Sequence, residues 1–348
     1  MNLRYLLSKT IRKAKLLPII GMFFVAGANA QEMRPNCHPC APFPDCFKTG
    51  FFVEGDFLYW RPEVNEMEYA YSLNRITNEA IDQYDIRYDY EPGFQVALGY
   101  LFGNNWDLLA RYTNLRANQT DMISSTFGPP ELFAAFVHGN VSAIISATSH
   151  SKFYYDILDI EAIRHVFSGN RLELLAFVGV RGAWVTQNWK TDYSPLPGQL
   201  SVTFVQNKWK VRGGGLRFGF DGNLELGYGF TLFGTAALSG LLADQETKFL
   251  VTTLNQASIF NANLRFSRTK VFPVLESSVG ISWGSYFREG IMSHRRDLWG
   301  IHIGARYEFI QWWNINDVER MNSASGFDDV TPGDLGLHGL TLRVTIVF

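Results

Sequence analysis

With 47% hydrophobic and 18% charged side chains over 348 residues, the chain carries enough apolar surface to exclude global disorder. Its 31 Lys+Arg against 33 Asp+Glu leave a formal net charge of −2, without the basic excess that draws a protein to nucleic acid. The length would hold two ordinary domains or one large barrel.

The first thirty residues read as a secretory signal peptide. Arg4, Lys9, Arg12, Lys13 and Lys15 precede "LLPIIGMFFVAGANA", an apolar run that closes on the small residues Ala28 and Ala30. Leu16 to Val25 is too short to span a bilayer as a helix, so the segment is an export address, with cleavage expected after Ala30. Taking its five basic residues from 31 leaves 26 against 33 acidic ones, a net charge near −7 in the exported chain.

Residues 31–48 form a Pro-rich tail containing "CHPCAPFPDC". Cys37, Cys40 and Cys46 with His38 suggest a zinc or redox motif, but no second ligand knuckle and no βαβ scaffold accompany them. An odd count in an oxidising compartment leaves two readings open. Either one internal disulfide leaves a free thiol for cross-linking, or the tail is flexible and its cysteines pair adventitiously.

From residue 49 to 348 apolar side chains recur with a period of two, the mark of strands. In "FFVEGDFLYW", Phe51, Val53, Phe57 and Tyr59 share one face, opposite Glu54 and Asp56. In "FQVALGYLFGNNWDLLARYT", Phe94, Val96, Leu98 and Tyr100 lead into the turn residues Gly103, Asn104 and Asn105. Trp106, Leu108, Ala110 and Tyr112 then resume opposite Asp107, Arg111 and Thr113. "LRFGFDGNLEL" sets Leu216, Phe218, Phe220, Leu224 and Leu226 against Arg217, Asp221, Asn223 and Glu225. "WGIHIGARYEF" sets Trp299, Ile301, Ile303, Ala305, Tyr307 and Phe309 against His302, Arg306 and Glu308.

Alternation alone does not say which face looks inward. A lipocalin-like barrel hides its apolar face, whereas a transmembrane barrel turns that face to lipid. Length favours the second: residues 49–348, at about 20 per strand and loop, predict roughly 12–16 strands. So do the aromatics near the ends of the apolar faces, among them Tyr59, Tyr100, Trp106, Trp184, Trp283 and Tyr307, which suit interfacial girdles. Two uncharged stretches, Leu132 to Ser151 and Leu226 to Ala243, have the length of membrane helices. The first contains His138, Asn140 and His150 and follows "GPP", so a long loop with some helix, folded toward the lumen, is expected. The second is split by "GYG" at Gly227–Gly229, which fits a tight turn between two strands.

Six stretches carry a family resemblance: "GFFVEGDFLYWRP", "YYDILDIEAIRHV" with "LLAFVGVRGAWVTQ", "GGGLRFGFDGNLELGYGFTLFGTAALSGLLA", "PVLESSVGISW" and "GLHGLTLRVTIVF". Spread over residues 50–348, they make the chain similar to the major outer membrane protein-like family of Legionella and chlamydia-like bacteria. The resemblance implies an all-β transmembrane antiparallel barrel in the bacterial outer membrane, acting as a porin or as a structural surface protein.

In such a barrel the face bearing Glu54, Asp56, Asp107, Arg111, Arg181, Arg217, Asp221, Glu225, Arg306, Glu308 and Arg343 lines the lumen, because a midplane Arg against lipid costs about 2–4 kcal/mol. Those side chains either line a path for small hydrophilic solutes or pair with one another across a filled lumen. The alternative to a porin is a non-conducting surface structural protein or adhesin, cross-linked in some envelopes through its cysteines. No catalytic residue, metal ligand set or cofactor is expected. "GGGLRFGFDG" lacks the strand-to-helix context of a phosphate loop and better serves strand bending and close packing. The expected partners are outer-membrane lipid, the barrel-assembly machinery, and a second copy or disulfide-linked envelope proteins.

The chain closes on "LTLRVTIVF", with Leu340, Leu342, Val344, Ile346 and Phe348 on one face. A terminus of alternating apolar residues must be docked, here against the first strand near Phe51 to Trp60, with Phe348 as assembly signal. Deleting Phe348 is expected to lower insertion into the outer membrane while leaving export intact. Fractionation of membranes and periplasm checks this, and full assembly of the truncated chain would refute it.

Overall fold

The computed structural model describes residues 50–74, 79–102, 105–125, 131–135, 143–196, 202–255, 258–288, 298–322 and 326–347. The segment expected to be a signal peptide, the tail with Cys37, Cys40 and Cys46, and Phe348 therefore lie outside the described residues. Among the described residues there are thirteen strands: β1 (Gly50–Val64), β2 (Glu68–Asn74), β3 (Glu79–Asp85), β4 (Glu91–Leu101), β5 (Trp106–Ser124), β6 (Glu131–Ala134), β7 (Ala143–Ser168), β8 (Leu172–Pro195), β9 (Val202–Gly227), β10 (Phe230–Asn255), β11 (Ser258–Arg288), β12 (Leu298–Asn322) and β13 (Gly326–Val347). All belong to one antiparallel sheet, and the described residues contain no helix.

The sheet closes on itself. β1 pairs with β4 on one side and with β13 on the other, and the pairing of β7 with β8 completes a ring β1-β4-β5-β7-β8-β9-β10-β11-β12-β13. The wall thus takes ten strands; β2, β3 and β6 lie off the ring. The count of thirteen falls within the expected range, but the wall is narrower than that range suggests because its strands are so long. β7 to β11 run 24–31 residues each, where about 9–11 suffice to cross a bilayer.

Register fixes the shape. From Phe52, successive partners are Gly99, Leu109, Glu161, Gly179, Arg217, Ser239, Val274, Trp312 and Leu335, and the circuit returns to β1 at Val64, twelve residues along from its start. Ten strands with that stagger tilt by about 40° on a backbone radius of about 10 Å. Such a cylinder is filled once long side chains point inward.

The outer face divides into two zones. Below, an apolar belt runs from Phe51, Trp106, Leu172, Leu226, Phe230 and Trp283 up to Tyr59, Phe94, Leu158, Leu216, Leu238 and Leu340, all exposed. Phe51 to Tyr59 corresponds to a height of roughly 20–25 Å, the thickness of an outer-membrane hydrocarbon layer. Aromatic contacts reinforce its lower rim: Phe51 meets Tyr100 edge-on with centroids at 4.7 Å, and Tyr100 meets Phe102 at 4.9 Å. Above the belt the same strands continue with polar outward residues, such as Lys152 on β7, Lys190 on β8 and Lys210 on β9.

Short connections join strands at the belt's lower end, where both β1 and β13 terminate. The turn after β9 uses Gly227, Tyr228 and Gly229 with φ of 98°, 55° and 85°, and Asn105 before β5 has φ 64°. The first is the turn expected from "GYG"; of "GNN" only Asn105 is among the described residues. The stretch Leu132 to Ser151 differs from expectation. It supplies β6 and the start of β7, and the described part shows strand instead of helix. Its inner face carries Ala147, Ser149 and Ser151, fully buried, so alternation was masked by small side chains where large apolar ones signal a strand.

Glycines let the wall close tightly at β9. A Cβ on Gly215 would stand 1.9 Å from the Gly240 carbonyl oxygen, whereas one on Gly55 would meet nothing within 4 Å. Gly215→Val is expected to abolish the compact, heat-modifiable form on gels and Gly55→Val to preserve it. Equal folding of the two variants would overturn this account.

Candidate functional site

The candidate site is the barrel interior, since every wall strand alternates lipid-facing and inward-facing residues. At the end where β1 begins and β13 ends, Phe52, Leu109, Ile163, Leu175, Phe177 and Val347 form an apolar cluster. Beside it His165 bridges two carboxylates, with Nδ1 at 2.8 Å from Glu173 Oε1 and Nε2 at 3.0 Å from Asp107 Oδ2.

Higher in the belt lies a layer of paired charge in two groups. In the first, Asp56 of β1 accepts from Arg306 Nη2 at 2.9 Å and from Arg343 Nη2 at 2.9 Å. Glu54 accepts from Arg343 Nη2 at 2.7 Å and Arg111 Nη2 at 3.2 Å. Arg306 also donates to Glu308 (2.7 Å) and to Gln95 of β4 (3.0 Å). Glu308 in turn accepts from Thr341 Oγ1, and Thr341 accepts from Trp60 Nε1 at 3.0 Å. In the second group Arg181 of β8 donates to Asp159 through two nitrogens at 2.6 and 2.8 Å. Glu276 of β11 takes hydrogen bonds from both Arg181 and Arg217, and Arg217 also pairs with Glu161 of β7. The Arg217 guanidinium lies 4.6 Å from the Phe177 ring centroid.

Several of these bonds join strands that are not neighbours, such as Arg306 of β12 with Asp56 of β1 and Arg217 of β9 with Glu161 of β7. Glu276 reaches from β11 to β8 and β9, so the network crosses the lumen. The charges stand inside because lipid would leave them unsolvated, and they are tolerated inside because each guanidinium meets carboxylates. A cavity of about 140 Å³ remains between the two groups, lined in part by Glu54, Arg111, Asp159, Arg217 and Arg306.

Above the charge layer the interior turns apolar again. Trp60, Tyr155, Trp209, Phe249, Phe272 and Trp312 are fully buried and belong to one large cluster. The long connection between β1 and β4 folds into this mouth, carrying β2 and β3. Its Tyr88 hydroxyl lies 2.5 Å from Ser151 Oγ and accepts from Gln187 Nε2 at 2.9 Å. Its Tyr69 donates to Asp121 at 3.0 Å, and Tyr193 of β8 donates to the Tyr69 carbonyl at 2.6 Å. The mouth is thus filled by the described parts of 65–90 together with β6, which belongs to the Leu132 to Ser151 stretch expected to fold toward the lumen; the rest of that stretch that is described joins the wall as β7.

Of the eleven charged residues expected to line the lumen, Glu54, Asp56, Arg111, Arg306, Glu308 and Arg343 come together in the first group, and Arg181 and Arg217 in the second. Asp107 sits lower with His165, and Asp221 accepts from Thr235 Oγ1 at 2.6 Å. Glu225 lies apart near the β9–β10 turn, where its backbone N–H donates to the Arg171 carbonyl at 2.8 Å. Sequence reasoning missed Asp159, Glu161, Glu173, Glu276 and His165. The first two were legible in "LDIEA", where they alternate with the exposed Leu158 and Ile160. Glu276 is a lone charge in an otherwise apolar stretch, and its partners become visible only once strands are placed. His150 Nδ1 stands 2.7 Å from Thr120 Oγ1 on the outer wall, and His302 is buried. His138 lies outside the described residues. Among the described residues no group of three or more His, Cys, Asp or Glu is arranged to hold a metal ion.

A family model described as the Legionella pneumophila major outer membrane protein precursor matches residues 42–348. The chain belongs to this family. Membership places the barrel in the bacterial outer membrane, with its apolar belt in the lipid. No curated protein matches the chain. Among solved structures it is similar to the outer membrane protease OmpT from Escherichia coli, at 8% identity over 86% of this chain and 96% of that one, with a TM-score of 0.41. It is also similar to a Pseudomonas aeruginosa FadL homologue, at 8% identity over 86% and 90%, with a TM-score of 0.27.

Within this outer membrane protein, removing one member of the second charge group leaves buried partners unpaired. Arg181→Met is expected to cost about 3–5 kcal/mol, because Asp159 and Glu276 lose their counter-charge. Equilibrium unfolding in urea from lipid vesicles reads this. A loss under 1 kcal/mol would show that water already screens the layer.

Proposed function

We propose that this outer membrane protein is a closed-lumen structural barrel that anchors a rigid, polar-surfaced cylinder above the bilayer. The observation carrying this reading is the continuous filling of the interior. An apolar cluster, a cross-lumen ion-pair layer, an aromatic core and the folded-in segment 65–90 succeed one another along the axis. A ten-stranded wall of about 10 Å radius has little room left once these side chains are in place, whereas open diffusion channels use about 16–18 strands. Strands of 24–31 residues rising past the belt give the outer part its own core, which suits surface presentation. In this reading the partners are outer-membrane lipid, the assembly machinery that receives β13, and envelope neighbours including further copies. The reading assigns the barrel no reaction and no cofactor.

A porin is the second reading, favoured by one feature. The cavity of about 140 Å³ sits within the charge layer at the level of the bilayer and is lined by both signs of charge. Small ions would then pass by exchanging partners along the arginines and carboxylates. Planar-bilayer recording of the full-length mature protein under a salt gradient separates the two. A folded barrel without conductance steps is the expected result. Discrete steps with a reversal potential would replace the structural reading with the porin.

A further inference from the structure

Above the belt, β9 presents Lys208, Lys210 and Arg212 on its outer face, alternating with the buried Trp209 and Val211. The register sets Lys210 across from Thr186 and Lys208 across from Asn188 on β8, and Lys208 across from Lys248 on β10. Two more outward lysines flank them, Lys190 on β8 and Lys152 on β7, the latter in register with Asn188. On β10 the register sets Glu246 across from Lys210 and Asp244 across from Arg212, and each carboxylate has another partner as well: Thr269 Oγ1 donates to Asp244 at 2.5 Å. Glu246 pairs with Lys248 at 3.2 Å and with Arg265 at 2.9 Å, and Asp156 is held by Arg116 at 2.8 Å. Among the described residues, Lys152, Lys190, Lys208, Lys210 and Arg212 form no ion pair. The crowding is strong enough that Lys208, with desolvation and Arg212 adding to it, holds the Lys210 ammonium below the usual lysine range.

Position gives the patch its meaning. From the register and the tilt of about 40°, Arg212 stands ~10 Å above the upper ring of the belt, Lys152 and Lys210 ~15 Å, and Lys190 and Lys208 ~20 Å. Immediately below stand the exposed Trp184 and Tyr154, at the height where acyl chains give way to headgroups. The opposite wall differs. Above Tyr59 and Leu340 it shows Arg61 and His338 beside Glu63 and Asp334, with His338 Nε2 at 3.3 Å from Glu63. Lys208 and Lys248 face each other and repel, and because cations outnumber the carboxylates Glu246 and Asp244 on this wall, an external anion among them offsets the excess.

We propose that this wall binds the phosphorylated, acidic saccharide headgroup of the outer-leaflet glycolipid, with Lys208, Lys210 and Arg212 as its central contacts. The cations stand where that headgroup stands, and a phosphate or carboxylate between two strands accepts from several of them at once. The apolar surface below receives the acyl chains of the same molecule. The bound glycolipid thereby fastens one side of the cylinder to its membrane.

The test titrates rough-type lipopolysaccharide into the purified full-length barrel in neutral detergent, with the dephosphorylated glycolipid as comparison. K208Q/K210Q/R212Q is expected to bind the phosphorylated form about 100-fold more weakly, from about 1 kcal/mol per lost cation. The dephosphorylated form is expected to bind wild type and variant alike, and Arg87→Gln on the mouth segment to bind as wild type. Heat-modifiable migration reports folding. Should the triple variant fail to fold, K208R/K210R/R212K must bind as wild type and K152Q/K190Q must bind more weakly. Wild-type affinity in the triple variant, or indifference to dephosphorylation, overturns the proposal. So does complete competition by equimolar inorganic phosphate, which would make this a free-phosphate site, or by an acidic polypeptide, which would point to a protein partner.

Discussion

The whole structure depends on the seam between β1 and β13. In lipid no water meets an open sheet edge, so every backbone N–H and C=O in the belt must find a partner in the next strand, and only a closed ring achieves that. The seam runs from Phe52 opposite Val347 to Val64 opposite Leu335. Closing there with a stagger of twelve residues sets the tilt and the radius together. The radius then determines that the interior holds side chains.

Given that radius, the inner face has two ways to be stable, and the chain uses both. Where the wall passes the bilayer, inward residues include Arg, Asp and Glu, which satisfy one another across the axis. Beyond the bilayer, where water wets the outside, the inner face becomes Trp, Tyr, Phe and Val. The outside and inside therefore exchange character at nearly the same height. Below the transition the protein is apolar outside with charge within; above it the arrangement inverts to that of an ordinary soluble protein.

Much of this was legible in the sequence, because a period of two reports side-chain direction without any knowledge of neighbours. Glu54 and Asp56 against Phe51, Val53, Phe57 and Tyr59 could be assigned to opposite faces from β1 alone, and "GYG" marked its turn. The partners of those charges could not be assigned. Asp56 meets Arg306 and Arg343, some 250 and 287 residues away in sequence, and only register brings them together. The number of wall strands was also hidden, since strand length was averaged over loops that here are short. The segment 65–90 lacked a clear alternation, and its role in filling the mouth rests on the burial of Met67, Tyr69, Ile86 and Tyr88 and on hydrogen bonds of Tyr69, Tyr88 and Tyr193 that no local pattern announces.

The separation of Asp56 from Arg343 has a kinetic meaning. Loop-closure entropy makes contacts between the first and last strands the slowest to form, and here they are also the contacts that neutralise β1. Until β12 and β13 arrive, Asp56 lacks Arg306 and Arg343, Glu54 has only Arg111 of β5, and β1 would meet lipid with an open edge. Entry into the membrane and closure of the ring must therefore be nearly simultaneous. A chain halted before its last strand is accordingly a species for quality-control proteases, with no stable resting place in the bilayer.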